Sequence, residues 1–164
     1  MIAQMNWKTW IHEVPDFPKP GVTFKDISPL LRSGHFPTAV QQMRNLVEPP
    51  DYWVGIDSRG FIFASAFAGQ GGGLILCRKK GKLPPPVVRE EYELEYGSDI
   101  LEIQPGNGKV VIVDDVYATG GTMQAVERLC SQAGYDVIDR VVLIDLKFLH
   151  APCDVKSLIQ YEAI

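Results

Sequence analysis

Hydrophobic positions in this chain fall into short, nearly continuous apolar runs separated by stretches of helical spacing. The runs cover residues 52–56, 74–77, 109–113 and 137–146. A run that is apolar at successive positions, rather than alternate ones, predicts a strand buried on both faces, as in a parallel sheet. Between the runs, residues 37–47 place Val40, Met43, Leu46 and Val47 on one helical face. Pro37 is acceptable in the first turn of that helix, and Pro49 and Pro50 end it. Residues 61–70 are apolar nearly all round and predict a buried helix, stopped by Gly71, Gly72 and Gly73. A third helix is predicted over 123–133. Strands alternating with helices imply an α/β fold with a mainly parallel central sheet and right-handed crossovers. Ligands of such sheets sit beyond the carboxyl ends of the strands.

Two segments break the alternation. The first 34 residues are made irregular by Pro15, Pro18, Pro20 and Gly21. Residues 79–104 carry charge and a Pro84–Pro85–Pro86 run, after which Tyr92, Leu94 and Tyr96 alternate with Glu91, Glu93 and Glu95. A polar excursion of this length between core strands reads as a lid or binding loop, or as a surface hairpin without a role. A mixed polar and apolar segment near 157–161 follows the last predicted strand.

Composition narrows the class. At 164 residues the chain suits one domain, and 46% hydrophobic and 22% charged residues are ordinary for a globular protein. A formal net charge of −4, with no basic patch, argues against nucleic acid as a partner. No apolar run approaches the roughly 20 residues of a membrane span. The N-terminal MIAQMNWKTW lacks the basic and apolar regions of a secretory signal. Cys77, Cys130 and Cys153 are odd in number and widely spaced, which predicts reduced thiols in a cytoplasmic protein.

The chemistry gathers where the strands end. The 109–113 run leads into Asp114 and Asp115, then Val116, Tyr117, Ala118, Thr119, Gly120, Gly121 and Thr122, then a helix. Backbone N–H groups at a glycine turn and the positive end of a helix form an anion site. Thr119 and Thr122 add hydroxyls, and Thr122 is placed to cap the helix. The turn has no lysine, so it is not a nucleoside triphosphate P-loop, and it is not GxGxxG. Adjacent carboxylates repel unless hydroxyl donors or a cation lie between them. A phosphate site beside a hydroxyl site predicts a sugar phosphate. The 52–56 strand ends in Asp57-Ser58-Arg59-Gly60, where Arg59 suits either a phosphate or a surface ion pair. Arg78, Lys79, Lys80 and Lys82 form a basic run that reads as a solvated face or as a phosphate clamp.

The segment from Asp114 to Thr122 resembles the phosphoribosyl pyrophosphate (PRPP) motif of type I phosphoribosyltransferases: two acids, two variable residues, a small residue and TGGT. VPDFPKPGVTFKDISPLL at 14–31, GIDSRGFIFASAFA at 55–68, and CRKKGKLP with YELEYG across 77–97 resemble, in family order, segments of the adenine phosphoribosyltransferases. The resemblance implies a single type I phosphoribosyltransferase domain, with a base-binding hood at about 1–34 and a flexible catalytic loop at about 79–104. It implies transfer of phosphoribose from PRPP to adenine, giving AMP and pyrophosphate, with Mg²⁺ carried mainly by the substrate. Residue by residue, it places the 5′-phosphate at Ala118–Thr122 and the ribose hydroxyls at Asp114 and Asp115. Pyrophosphate falls to Ser58, Arg59, Arg78, Lys79 and Lys82. Glu95 would help move the purine proton, and Tyr96 would close over the substrate. The base would lie between Thr23, Phe24 and Lys25 on one side and Val116 and Tyr117 on the other. Basic loop residues reaching a neighbouring site imply a homodimer.

Thr23, Lys25 and Tyr117 depart from common relatives, as does Pro85, which replaces the glycine usual after LP. Two other readings stay open at this level. One is the same reaction on a 6-oxopurine, hypoxanthine or guanine; the other is a PRPP-sensing regulator without catalysis.

Overall fold

The structure, a computed structural model, describes residues 5–94 and 97–163. A short 3-10 turn at Trp7–Trp10 leads into β1 (His12–Val14), which pairs antiparallel with β2 (Phe24–Asp26). These two strands and α1 (Ser28–Leu31) form a small hood. After α2 (Phe36–Arg44) come β3 (Tyr52–Ile56), α3 (Gly60–Ala68) and β4 (Gly73–Lys79). Next are β5 (Val88–Leu94), β6 (Gly97–Ile103), β7 (Gly108–Tyr117), α4 (Gly121–Gln132), β8 (Tyr135–Leu146) and β9 (Lys156–Tyr161). The main sheet has seven strands in the order β5-β6-β4-β3-β7-β8-β9. From β4 to β9 every pairing is parallel; β6 joins β4 antiparallel and β5 joins β6 antiparallel.

Both faces of this sheet are covered, and this is why its strands read as continuous apolar runs. Val111 and Val113 of β7 join a core with Trp53, Phe63, Phe67 and Met43. Val110 and Ile112 point the other way, into a core with Val54, Val126, Leu129 and Cys130. The predicted helix face is corrected at one end. The second helix stops at Arg44, so Leu46 leaves the buried stripe and is exposed, whereas Val40 and Met43 are buried.

The 79–104 excursion is mostly not an irregular loop. Val88–Leu94 and Gly97–Ile103 pair as β5 and β6, and β6 extends the sheet and buries Leu101 and Ile103. The pair also docks on α4, with Arg128 Nε 2.7 Å from a Glu90 oxygen and Gln132 donating to the other at 3.2 Å. Only residues 80–87 between β4 and β5 lack regular structure. Residues 156–161 complete the opposite edge of the sheet as β9.

The hood is fastened to that edge. The Lys25 ammonium pairs with Glu13 and lies 4.1 Å from the centre of the Tyr161 ring, which Lys8 also approaches at 4.5 Å. Trp7, Ile11, Ile27 and Leu30 enter the core on the α2–α3 side. Hood, β3, β7 and β8 thereby meet at the carboxyl end of the sheet.

Candidate functional site

β7 runs longer than its apolar part. Asp114 and Asp115 are still strand residues, and the turn begins only at Ala118. Strand geometry sends these neighbours to opposite faces. Asp115 is 6% exposed and Asp114 is more open. The Asp115 N–H donates to Asp114 Oδ1 at 2.9 Å. Burial first, and the charge of Asp115 second, push the Asp114 carboxyl well above the ordinary carboxylate range. Asp115 Oδ2 lies 2.7 Å from Arg59 Nε. This is an ion pair without hydrogen-bond alignment, so a buried carboxylate oxygen keeps unused acceptor capacity. A ribose hydroxyl supplies the donor that such an oxygen lacks.

The turn is built around Gly120, which adopts φ 93° and stands immediately before α4. Its positive φ and its close approach to the Tyr117 hydroxyl both demand glycine; a Cβ there would lie 2.5 Å from that oxygen. Thr122 does not cap the helix. It is the second helical residue, the first-turn position has no side-chain cap, and its hydroxyl meets the Tyr92 phenol of β5 instead. Asp114, Val116 and residues 117–123 enclose a hollow of about 90 Å³.

A second pocket, of about 420 Å³, opens on the other side of the same turn. Thr23, Phe24 and Lys25 line it from the hood, Val116, Ala118 and Thr119 from the turn, and Leu146, Phe148 and Leu149 from the end of β8. Val116, Ala118 and Thr119 are common to both cavities, so a small polar hollow and a large apolar one share a wall. Phe24 meets Phe17 edge to face at 5.2 Å, and the Arg59 guanidinium lies 5.0 Å from the Phe24 ring centre.

Several residues expected together are apart. Val116 lines the large pocket, but Tyr117, one residue on, points to the opposite face and packs beneath the turn. Tyr117 is therefore no wall of the large pocket. The Lys25 ammonium is occupied by Glu13 and Tyr161 rather than free for a ligand edge. Arg59, expected toward pyrophosphate, here joins Asp115 to Phe24. Ser58 is exposed in the turn after β3, where the Asp57–Ser58 peptide is cis. Arg78 lies 3.4 Å from Asp57 and Lys79 3.8 Å from Asp99, both at the end of β4, and Lys82 is exposed in the following turn. Glu95 and Tyr96 lie outside the described residues.

Sequence reasoning passed over Leu146, Phe148 and Leu149. The sign that marks them is structural: Leu149 is an apolar residue 42% exposed just past a strand's carboxyl end. It also passed over Glu102, buried in β6, whose carboxylate accepts from the Gly81 N–H and from Arg89 Nε, each at 2.5 Å. Hydrogen bonding by Arg89, more than burial opposes it, holds the Glu102 carboxyl below its usual range. A lowered carboxylate pKa stabilises the fold above the unfolded-state value, and that contribution disappears as pH falls through the folded value. Glu102→Gln should therefore melt below the unsubstituted protein at pH 7, and the gap should close in acid. Calorimetric melts from about pH 7 to about pH 3 measure this; a gap constant across that range would refute the assignment.

Fold and site together define a class: an α/β protein with an acid pair and a glycine turn at the carboxyl end of its sheet, beside an apolar pocket of about 420 Å³. A family model described as phosphoribosyl transferase domain matches residues 38–148. An adenine phosphoribosyltransferase of Hydrogenovibrio crunogenus is 49% identical, over 93% of this chain and 95% of that one. One from Bdellovibrio bacteriovorus is 47% identical, over 96% of this chain and 100% of its own. The crystal structure of the Thermoanaerobacter pseudethanolicus adenine phosphoribosyltransferase superposes with a TM-score of 0.87 at 39% identity, covering 94% and 97% of the two chains. The Saccharomyces cerevisiae enzyme, solved with an imino-altritol bisphosphate and adenine, superposes at 0.78 with 32% identity, covering 93% and 94%. The chain belongs to the adenine phosphoribosyltransferases of the phosphoribosyltransferase family.

Proposed function

We infer that this chain transfers the 5-phosphoribosyl group of PRPP to N9 of adenine, forming AMP and releasing pyrophosphate in purine salvage. The shared wall of Val116, Ala118 and Thr119 supports this reading most directly, since a nucleotide needs its phosphate and its base on two sides of one ribose. The relatives named above favour adenine over a 6-oxopurine and an enzyme over a regulator. Initial rates with adenine, hypoxanthine and guanine test the conclusion, and faster turnover of either 6-oxopurine would reverse it.

In the proposed reaction the bond from the anomeric carbon to pyrophosphate breaks, and the bond to N9 forms. The carbon gains oxocarbenium character between them, so positioning and electrostatics supply most of the acceleration. We assign the 5′-phosphate to the N–H groups and hydroxyls of Ala118–Thr122, at the start of a twelve-residue helix. Asp114 and Asp115 take the ribose hydroxyls, and their charge favours the cationic transition state. We assign the pyrophosphate to Ser58, Arg59, Arg78, Lys79 and Lys82 on family resemblance. Glu95 is assigned the purine proton and Tyr96 the closing contact, both on family resemblance.

Asp115 Oδ2, which keeps acceptor capacity beside Arg59, and the adjacent Asp114 would meet a hard cation held mainly by the substrate's own oxygens. Mg²⁺ carried there by the substrate would supply positive charge for the departing pyrophosphate. A homodimer in the cytoplasm completes the proposal. Cys77 and Cys130 are buried free thiols, and burial pushes Cys130 up to about 12 and Cys77 higher still, so neither is reactive.

The base pocket gives a separate prediction. Phe24→Ala removes the aromatic face of the hood and should raise the KM for adenine by about tenfold, from lost stacking of roughly 1–3 kcal/mol. The KM for PRPP should move far less. Steady-state kinetics with each substrate varied in turn decides this, and an unchanged adenine KM would place the base elsewhere.

A further inference from the structure

The carboxyl end of β8 holds a buried ion pair that no step of the reaction uses. Asp145 stands opposite Tyr117 in the register of β7 with β8 and is 3% exposed. Its Oδ1 lies 2.6 Å from Nε2 of His150, a side chain equally withdrawn from solvent. The second ring nitrogen, Nδ1, lies 2.6 Å from the carbonyl oxygen of Ala151. A carbonyl oxygen only accepts, so Nδ1 donates to Ala151 and Nε2 faces the Asp145 carboxylate, an arrangement that favours the protonated ring. Burial alone would lower its pKa, but the bonds to Asp145 and Ala151 outweigh burial and raise it above the ordinary histidine value.

The His150 ring meets Tyr117 edge to face, with centres 4.7 Å apart at 80°. Tyr117 is 4% exposed, and its hydroxyl abuts Gly120, where even a methyl group has no room. Cys153 closes the side, its Sγ 3.8 Å from His150 Nδ1 and beside the Tyr117 hydroxyl. One packed line therefore runs from Asp145 through His150 and Tyr117 to the glycine that opens α4.

We propose that Asp145 and His150 are positioning residues for the 5′-phosphate subsite, holding the Gly120 turn through Tyr117. The proposal rests on reading the 118–122 turn as the phosphate site. Donors converging on an anion tolerate little drift, and a small misplacement by a remote group is enough to cost substantial rate or affinity. The pair fixes Tyr117 because a ring bonded at both nitrogens cannot rotate without leaving Asp145 and the Ala151 carbonyl unpaired. For the same reason, losing either partner should do nearly what losing both does.

The test varies PRPP and adenine separately in His150→Gln, Asp145→Asn and the double variant, with Thr119→Ala as a probe of the turn itself. Each single variant should raise the KM for PRPP by about tenfold, and the double variant by about the same factor rather than its square. The KM for adenine should rise by no more than about threefold, since Leu146, Phe148 and Leu149 of the large pocket lie between the two residues. Titration calorimetry with ribose 5-phosphate should show the same weakening, while inorganic pyrophosphate binds as before. A purely structural role would move both substrates together, and that result, or unchanged ribose 5-phosphate binding, overturns the proposal. If Thr119→Ala also leaves ribose 5-phosphate binding unchanged, the phosphate reading of the turn fails. If Thr119→Ala weakens it and His150→Gln does not, only the positioning role fails. Should Asp145→Asn not fold, His150→Gln, which keeps a donor toward Asp145, carries the same comparison.

Discussion

Replacing Asp114 and Asp115 together with asparagine should lower kcat/KM by about 10³-fold or more, the scale lost when charge stabilisation of a transition state is removed. The protein should stay folded, and Asp114→Asn alone should raise the melting temperature at pH 7, since Asp115 also pairs with Arg59. Asp114 is the reason. Its carboxyl is raised by burial and by the neighbouring Asp115 charge, so the folded chain binds a proton more readily than the unfolded chain does. Such a group destabilises the fold above its folded pKa, and the penalty fades as pH falls through that value. This is opposite in sign to Glu102, whose lowered pKa stabilises the fold at neutral pH. Asparagine removes the repulsion together with the charge. Activity near that of the unsubstituted protein would remove both acids from the reaction; a large fall in melting temperature would mean that they hold the fold.

The second large effect belongs to Gly60, the first residue of α3. A Cβ at this position would lie 2.7 Å from the Val113 carbonyl oxygen and 3.1 Å from Asp114 Oδ1. Neither neighbour can move cheaply, because Val113 is central strand backbone and Asp114 is bonded to the Asp115 N–H. Gly60→Ala should therefore push α3 off β7 at the acid pair, destabilising the protein by about 1–3 kcal/mol. The same displacement separates Arg59 from Asp115, and kcat should fall by about 10²-fold. Gly34 is the control, since nothing lies within 4 Å of a Cβ built there. Parallel melts and rates for Gly60→Ala and Gly34→Ala measure the difference, and equal behaviour would show that the close approach does not matter.

Much of the fold was legible in the residues. The strand predicted over 52–56 has those bounds, because tyrosine, tryptophan, valine and isoleucine between polar turns leave few alternatives. The run at 109–113 was read too short. A strand was taken to end where apolar residues end, but pairing with β8 carries β7 through both acids to Tyr117. The excursion at 79–104 shows the same limit. The alternation of Tyr92 with glutamates was visible, yet it does not say that β6 would join β4 or that β5 would lie on α4. Those are contacts between distant parts of the chain, and periodicity carries no information on partners.

The site divides similarly. The turn proposed for the phosphate is one local stretch, so its glycines, its threonines and the helix after it are all visible in the residues. The two-cavity arrangement needs the hood, β7 and the end of β8 together, so Phe148 and Leu149 stayed hidden. Tyr117 was misplaced for a simpler reason. It was read as part of a turn, where direction is free, but it is in a strand, where successive side chains oppose. Asp145 and His150 carry no recognisable spacing at all, since a strand end and a short 3-10 turn at Lys147–Leu149 separate them.

One guanidinium touches both halves of the site. Arg59 lies against the Phe24 ring and against Asp115, so the free energy of either half depends on what the other half is doing. A ligand hydroxyl that takes Asp115 changes the partner available to Arg59, and a base that covers Phe24 changes it from the other side. Thermodynamic linkage makes the effect reciprocal: whatever factor bound PRPP contributes to adenine affinity, bound adenine returns to PRPP. An arginine read at first as a phosphate ligand is thus also the point at which the two binding equilibria become one.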